Sequence, residues 1–176
     1  NTASKVTDDD TFAKEDEAEL RNMGFSLQIV DIAGKNQDEL EELLHNQDII
    51  YVEGGNGFYL LKCVRESGFE NAIKELINKG VIYVGISAGT YIACPTIEMH
   101  EWKQNSENHY GLKRLEAMNL VPFLISVHYN REKYRENVKE GISKTNLKVK
   151  ILTDDQALLV QDNQVTLVGK GEDIVL

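Results

Sequence analysis

Residues 81–94 read VIYVGISAGTYIAC, and the fold turns on how this stretch is parsed. Val81–Ile86 is a short apolar run, the length and character of a strand buried on both faces in a parallel sheet. Gly85-Ile86-Ser87-Ala88-Gly89 follows as G-x-S-x-G, and a helical stretch then runs to Cys94, where Pro95 stops it. A strand that enters a helix through so tight a turn forces the central residue into a strained backbone, and the positions around it must be nearly free of side chain. Gly85, Ala88 and Gly89 meet that need. Ser87 is then expected to hold its hydroxyl above the strand end, with the Ala88 N–H at the helix N-terminus facing any developing anion. A structural turn that contains a serine by chance is the plainer alternative. The strand–turn–helix setting favours the nucleophile.

Outward from this centre, hydrophobic pattern and punctuation give alternating helices and strands. Upstream, the reading is a helix at 15–23, a strand at 25–32 (FSLQIVDI), a helix at 36–46 and a buried strand at 48–52 (DIIYV). The turn Gly54-Gly55-Asn56-Gly57 follows, then helices at 58–66 and 69–78. Downstream, residues 96–119 read as an irregular surface insertion, with a strand at 121–127, a helix at 131–142 and a strand at 148–152. Short strands at 157–160, 165–168 and 173–176 form an antiparallel meander. The class is α/β: a doubly wound, mostly parallel sheet with helices on both faces and antiparallel strands at the C-terminal end. The 176 residues make one domain. Its opening segment, NTASKVTDDD, is loop-like where such a domain normally begins with a strand.

Composition narrows the function. Nineteen basic against 29 acidic residues give a formal charge of −10, which disfavours phosphate backbones and anionic lipid, so neither nucleic acid nor membrane is an expected partner. Cys63 and Cys94 are too far apart in sequence for a zinc motif, and no metal is expected. Two cysteines without a disulfide framework fit a reducing cytoplasm. No apolar run approaches the ~20 residues of a membrane span.

The second glycine turn supports the first motif. It follows the strand expected beside the nucleophile strand, and sites in open α/β sheets form at the carboxyl ends of strands. The N–H groups of Gly55 and Ala88 are suited to an oxyanion hole, which needs two donors ~3 Å from the developing charge. A phosphate loop is disfavoured, because GGNG has neither the GxxxxGK[ST] lysine nor the GxGxxG spacing. Of four histidines, His128 alone closes a strand (FLISVHYN), which makes it the candidate base.

Taken together, YVEGGNGFYLLK, GISAGTYIACPTIE and the strand ending in His128 resemble the peptidase E family of serine peptidases, whose fold is like that of the class I glutamine amidotransferases. The resemblance covers essentially the whole chain. It implies Ser87 as nucleophile, His128 as base, Gly55 and Ala88 as the oxyanion hole, and cleavage of short peptides after an N-terminal aspartate without cofactor or metal. It also implies a strand, helix and strand ahead of Thr2-Ala3-Ser4. The expected partner is a small peptide substrate, and the expected state a monomer or homodimer.

The third member of the triad stays open at this stage. One family candidate, fifteen residues after the serine, falls on Trp102. The other closes the strand after the histidine's helix, which gives Asp154, with Asp155 next and Glu98 third. Arg131 and Arg135 lie one helical turn apart after His128, and either could grip a substrate carboxylate through paired hydrogen bonds; the family alignment points to Arg135, with Asn56 also set at the substrate. An ordinary i,i+4 surface face is the alternative for the arginines. Cys94 is expected in the core. Glutamine amidotransferase chemistry is disfavoured because it needs cysteine at the position of Ser87, and an esterase of the α/β-hydrolase kind because its acid precedes the histidine. A non-catalytic relative that binds a ligand or partner through the same cleft is the remaining alternative.

Overall fold

The structure, a computed structural model, describes residues 1–103, 109–162 and 164–176. Helices α1 (Thr11–Asn22) and α2 (Gln37–Leu44) precede strand β1 (Ile49–Val52), helices α3 (Gly57–Ser67) and α4 (Phe69–Asn78), and strand β2 (Ile82–Gly85). Helices α5 (Ala88–Ala93) and α6 (Glu98–Lys103) follow, then β3 (Leu124–Ser126), α7 (Glu132–Lys144), β4 (Val149–Ile151), β5 (Gln156–Gln161) and β6 (Gln164–Gly169). β1 pairs in parallel with β2, Ile49 opposite Ile82 and Val52 opposite Gly85. β3 pairs in parallel with β4, Leu124 opposite Val149 and Ser126 opposite Ile151. β5 and β6 form an antiparallel hairpin.

Local chemistry explains the boundaries that matter for the site. Asn36 opens α2 with a capping box: its side chain accepts from the Glu39 N–H at 3.0 Å, and Glu39 accepts from the Asn36 N–H at 2.9 Å. Asn56 caps α3 by accepting from the Tyr59 N–H at 3.0 Å. The core joins Phe58, Leu61 and Val64 of α3, Ile73 of α4, Tyr91 and Ile92 of α5, Met99 of α6 and Leu124 of β3. Each such burial contributes roughly 1.5–3 kcal/mol before conformational entropy is counted. α5 packs on β1, β2 and β3, which holds the carboxyl ends of β2 and β3 near each other.

Several expectations are corrected. The alternating segment 25–32 forms no strand; Phe25 and Ile29 are exposed and no neighbouring strand takes its ladder. The predicted surface insertion at 96–119 is partly core: Ile97, Met99, His100 and Met118 are buried, and Thr96 bridges Glu116. Its residues 104–108 lie outside the described residues, as does Asn163 of the predicted hairpin turn. Residues 173–176 form no strand, so the meander is a two-stranded hairpin, with Asp173 instead paired to Lys150 at 2.7 Å. The helix read at 15–23 begins at Thr11. The opening segment is not a loose loop: Ala3–Val6 is a 3-10 turn with Thr2, Ala3 and Ser4 buried. Thr2 Oγ1 donates to Asp31 at 2.7 Å and accepts from the Ile32 N–H at 2.9 Å.

Candidate active site

Ser87 leaves β2 with φ 51° and ψ −104°, the left-handed strain expected of an exposed nucleophile turn. Two neighbours make that geometry possible. A Cβ on Gly89 would stand 2.0 Å from the Val52 carbonyl oxygen, and one on Gly85 would stand 2.6 Å from the Gly89 oxygen. The strand and helix therefore approach closer than any side chain allows. Tyr83 Oη donates to the Gly89 oxygen at 2.6 Å, and Thr90 Oγ1 to the Gly85 oxygen at 2.7 Å, which fixes the turn from both sides.

The glycine turn after β1 sits against the same point. A Cβ on Gly54 would lie 3.2 Å from Ser87 Cβ. Gly55 has φ 133°, and a Cβ there would collide with Ala3 at 2.4 Å, because the opening 3-10 turn packs on its back. The Asn56 N–H donates to the Ala3 oxygen at 3.0 Å, leaving the Gly55 N–H directed elsewhere. Among the described residues, neither the Gly55 nor the Ala88 N–H donates to a protein acceptor.

His128 ends the β3 segment with φ 65°, and its Nε2 stands 3.0 Å from Ser87 Oγ. Its Nδ1 is hydrogen-bonded to Asp154 Oδ1. The other carboxylate oxygen accepts from Arg131 Nε at 3.0 Å and from Asn130 Nδ2 at 3.2 Å, while the Asp154 N–H donates to Asn130 Oδ1 at 3.0 Å. Burial lowers the His128 pKa from its ordinary value; the Asp154 carboxylate opposes that shift, and the Arg131 and Lys103 charges add to it. Burial alone would raise the Asp154 pKa, but the hydrogen bonds from His128, Arg131 and Asn130 outweigh it and hold the carboxyl low. Near neutral pH the pair is thus a neutral imidazole on a carboxylate.

The structure brings together Ser87, His128 and Asp154, with Gly55 and Ala88 beside them. It does not bring Glu98, Asp155 or Trp102 to His128. The Glu98 carboxylate accepts from Thr96 Oγ1 at 2.9 Å. Asp155 is exposed, and its main-chain oxygen accepts from the Lys170 N–H. Trp102 packs its ring on Gly141 of α7. The Asn56 side-chain oxygen is committed to the α3 cap. Arg135 donates to the Tyr129 oxygen at 3.4 Å and lies over the Tyr129 ring, exposed next to the His128 turn. Cys94 is buried, and burial pushes its thiol up to about 12.

Asn130, His100 and Lys103 carry no signal in the sequence, and Arg131 reads there as a substrate ligand. Asn130 and Arg131 hold the Asp154 carboxylate; an i,i+4 arginine pair gives no sign of which member does so. His100, buried on α6, accepts from the Gly57 N–H at 3.3 Å and supports the glycine turn; desolvation lowers its pKa to about 4. Lys103 reaches the backbone just ahead of His128. Among the described residues no group of three or more His, Cys, Asp or Glu could hold a metal, and no helix is long and apolar enough to cross a membrane.

Comparison with known proteins gives a consistent neighbourhood. The model of peptidase family S51 matches residues 2–168. A Listeria innocua protein described as an uncharacterized peptidase is 30% identical over 174 residues, spanning 97% of this chain and 83% of that one. Peptidase E of Escherichia coli is 32% identical over 129 residues, 73% of this chain and 51% of the relative. A crystal structure of a candidate peptidase E protein from Listeria monocytogenes superposes with a TM-score of 0.87 at 27% identity, covering 97% of this chain and 83% of that chain.

Proposed function

Because this chain belongs to peptidase family S51, we propose that it is a serine peptidase that cleaves short peptides through an acyl-enzyme on Ser87. The observation that carries the reading is the hydrogen-bonded line from Asp154 through His128 to Ser87, ending on a serine in left-handed strain. His128 Nε2 takes the Ser87 proton as Oγ attacks the peptide carbonyl. The carbonyl oxygen becomes an oxyanion, and the Gly55 and Ala88 N–H groups donate to it. Collapse breaks the C–N bond, and the imidazolium returns the proton to the leaving amine. Water, deprotonated by the same nitrogen, then hydrolyses the ester and restores Ser87. Asp154 holds the Nδ1–H tautomer and offsets the imidazolium charge in each half-reaction.

The preferred substrate in this reading is a small peptide with an N-terminal aspartate, its side chain gripped by Arg135 and its backbone met by Asn56 Nδ2, since the Asn56 N–H and side-chain oxygen are taken by Ala3 and the α3 cap. Arg135 is suited to that role because it is exposed beside the His128 turn, whereas Arg131 is occupied by Asp154. We also take the β1–β2 and β3–β4 pairs as two parts of one doubly wound sheet, and a reducing cytoplasm as the setting. The test is hydrolysis of Asp-Xaa dipeptides by the protein and by its Ser87→Ala and His128→Ala variants. Turnover that both substitutions abolish supports the peptidase. A folded protein that hydrolyses no short peptide favours a binding module using the same cleft.

A further inference from the structure

Lys103, the last residue of α6, points inward. Its Nζ donates to Tyr91 Oη on α5 at 2.7 Å and to the main-chain oxygen of Val127. It also lies 5.2 Å from the Tyr91 ring centroid and 5.8 Å from that of Tyr134. Among the described residues it forms no ion pair; Asp154, whose charge acts on it, is engaged by His128 and Arg131. Burial pushes the ammonium down to about 7. A lysine held at that electrostatic cost, without a carboxylate, is not serving surface solubility.

What it holds is the turn that aims the base. The ladder between β3 and β4 runs through the Ser126 oxygen, which accepts from the Leu152 N–H at 2.8 Å, and through the Tyr129 N–H, which donates to the Leu152 oxygen at 3.0 Å. The Val127 carbonyl is skipped and faces away from β4, just ahead of the left-handed His128. Lys103 takes that carbonyl and joins it to Tyr91, three residues into the helix that Ser87 caps.

Resting on the serine-peptidase reading above, we propose that Lys103 is a positioning residue for the base, tying the His128 turn to the nucleophile helix so that imidazole and hydroxyl keep their register. The groups facing its ammonium are His100 on α6, Tyr91 on α5, His128 after β3, Arg131 and Tyr134 at α7, and Asp154 after β4. None of these replaces it at the Val127 oxygen.

The experiment is the rate of inactivation by a fluorophosphonate, which needs Ser87 and His128 but no substrate recognition. It is run on the intact protein and on Lys103→Met and Lys103→Arg, with thermal melts. A misaimed nucleophile–base pair costs on the order of 10- to 100-fold, so Lys103→Met is expected to slow labelling by that factor while melting as a folded protein. Lys103→Arg, which still reaches the carbonyl, recovers most of the rate. With peptide substrates the Met variant loses kcat at unchanged KM. Labelling of Lys103→Met at the wild-type rate overturns the proposal and leaves the serine reading standing; failure of the wild type to label overturns the serine reading itself. Should Lys103→Met not fold, Tyr91→Phe decides the matter. It removes the Lys103 anchor together with the Tyr91 hydroxyl's own contact to the Val127 backbone, without changing shape; a slowing of about three- to tenfold is expected, and an unchanged rate overturns the proposal.

Discussion

Replacing Asp154 by Asn leaves the shape of the site intact and reverses its proton logic. In the native site Oδ2 receives two donors, Arg131 Nε at 3.0 Å and Asn130 Nδ2 at 3.2 Å, while Oδ1 faces His128 Nδ1. An asparagine has one acceptor oxygen, and the two donors draw it to the Oδ2 position. Its NH2 then faces Nδ1, which must become an acceptor, and the ring proton moves to Nε2, where it faces Ser87 Oγ. The opposite amide orientation aims NH2 at a guanidinium and an amide donor. That forfeits one charged and one neutral hydrogen bond, about 3 kcal/mol together. At 1.36 kcal/mol per decade this biases the ring some 100-fold toward the unproductive tautomer. Loss of the charge that offsets the imidazolium adds a smaller amount, because the Asp154 side chain is 33% exposed and partly screened by water. The expected fall in kcat/KM is therefore about 10²–10⁴-fold, measured by peptide hydrolysis with a melt to confirm folding. Asp155→Asn, which alters an exposed neighbour, is expected to stay within about twofold. A Asp154→Asn variant that keeps a third of the native rate, or an Asp155→Asn variant that loses as much as Asp154→Asn, would refute this assignment of the acid.

Further expectations are checked as directly. Burial holds the His128 pKa below its ordinary value, and only the neutral ring accepts the Ser87 proton, so kcat/KM should fall with acidification through an inflection below 6.5 and stay level from there to neutrality; a limb centred above 7 contradicts this. His100 binds a proton more readily unfolded than folded, since burial lowers its folded pKa to about 4. Its contribution is fully present above about 6.5 and is lost as pH falls toward 4, a change of about 3 kcal/mol that urea melts across that range should show and His100→Gln should flatten. Gly55→Ala places a Cβ 2.4 Å from Ala3 at a φ of 133°, and a loss of at least about 2 kcal/mol together with most activity is expected from melts and hydrolysis rates. Cys94, with its thiol pushed up to about 12 in the core, should resist a disulfide reagent in the native protein and react only on unfolding.

The extent to which the sequence foretold the site follows from the range of the forces involved. The serine turn was legible because its requirement is local: Gly85 and Gly89 stand where a Cβ would strike Gly89 and Val52 respectively. Strands 48–52, 81–86 and 148–152 were legible as short apolar runs. The segment at 25–32 alternates as a strand should, yet alternation reports only two unlike faces and says nothing of a pairing partner. Short α6 was missed because six residues carry too little periodicity, and its contribution to the core through Met99 and His100 depends on contacts distant in sequence. The strand it follows ranks Asp154 ahead of Asp155, and only the fold decides between them, since adjacent residues differ only in the side to which the backbone turns them. Arg131 was weighed as a substrate ligand; its guanidinium is instead spent on Asp154, a choice made by the loop after His128. Lys103 gave no signal at all, because a lone lysine in EWKQNS reads as surface.

The most direct measurement is peptide mapping by mass spectrometry after exposure of the folded protein to a fluorophosphonate. One adduct on Ser87, absent when His128 is replaced by Ala, is the predicted result. A native, folded protein whose Ser87 remains unmodified, or labels as fast without His128, would contradict an imidazole-activated serine.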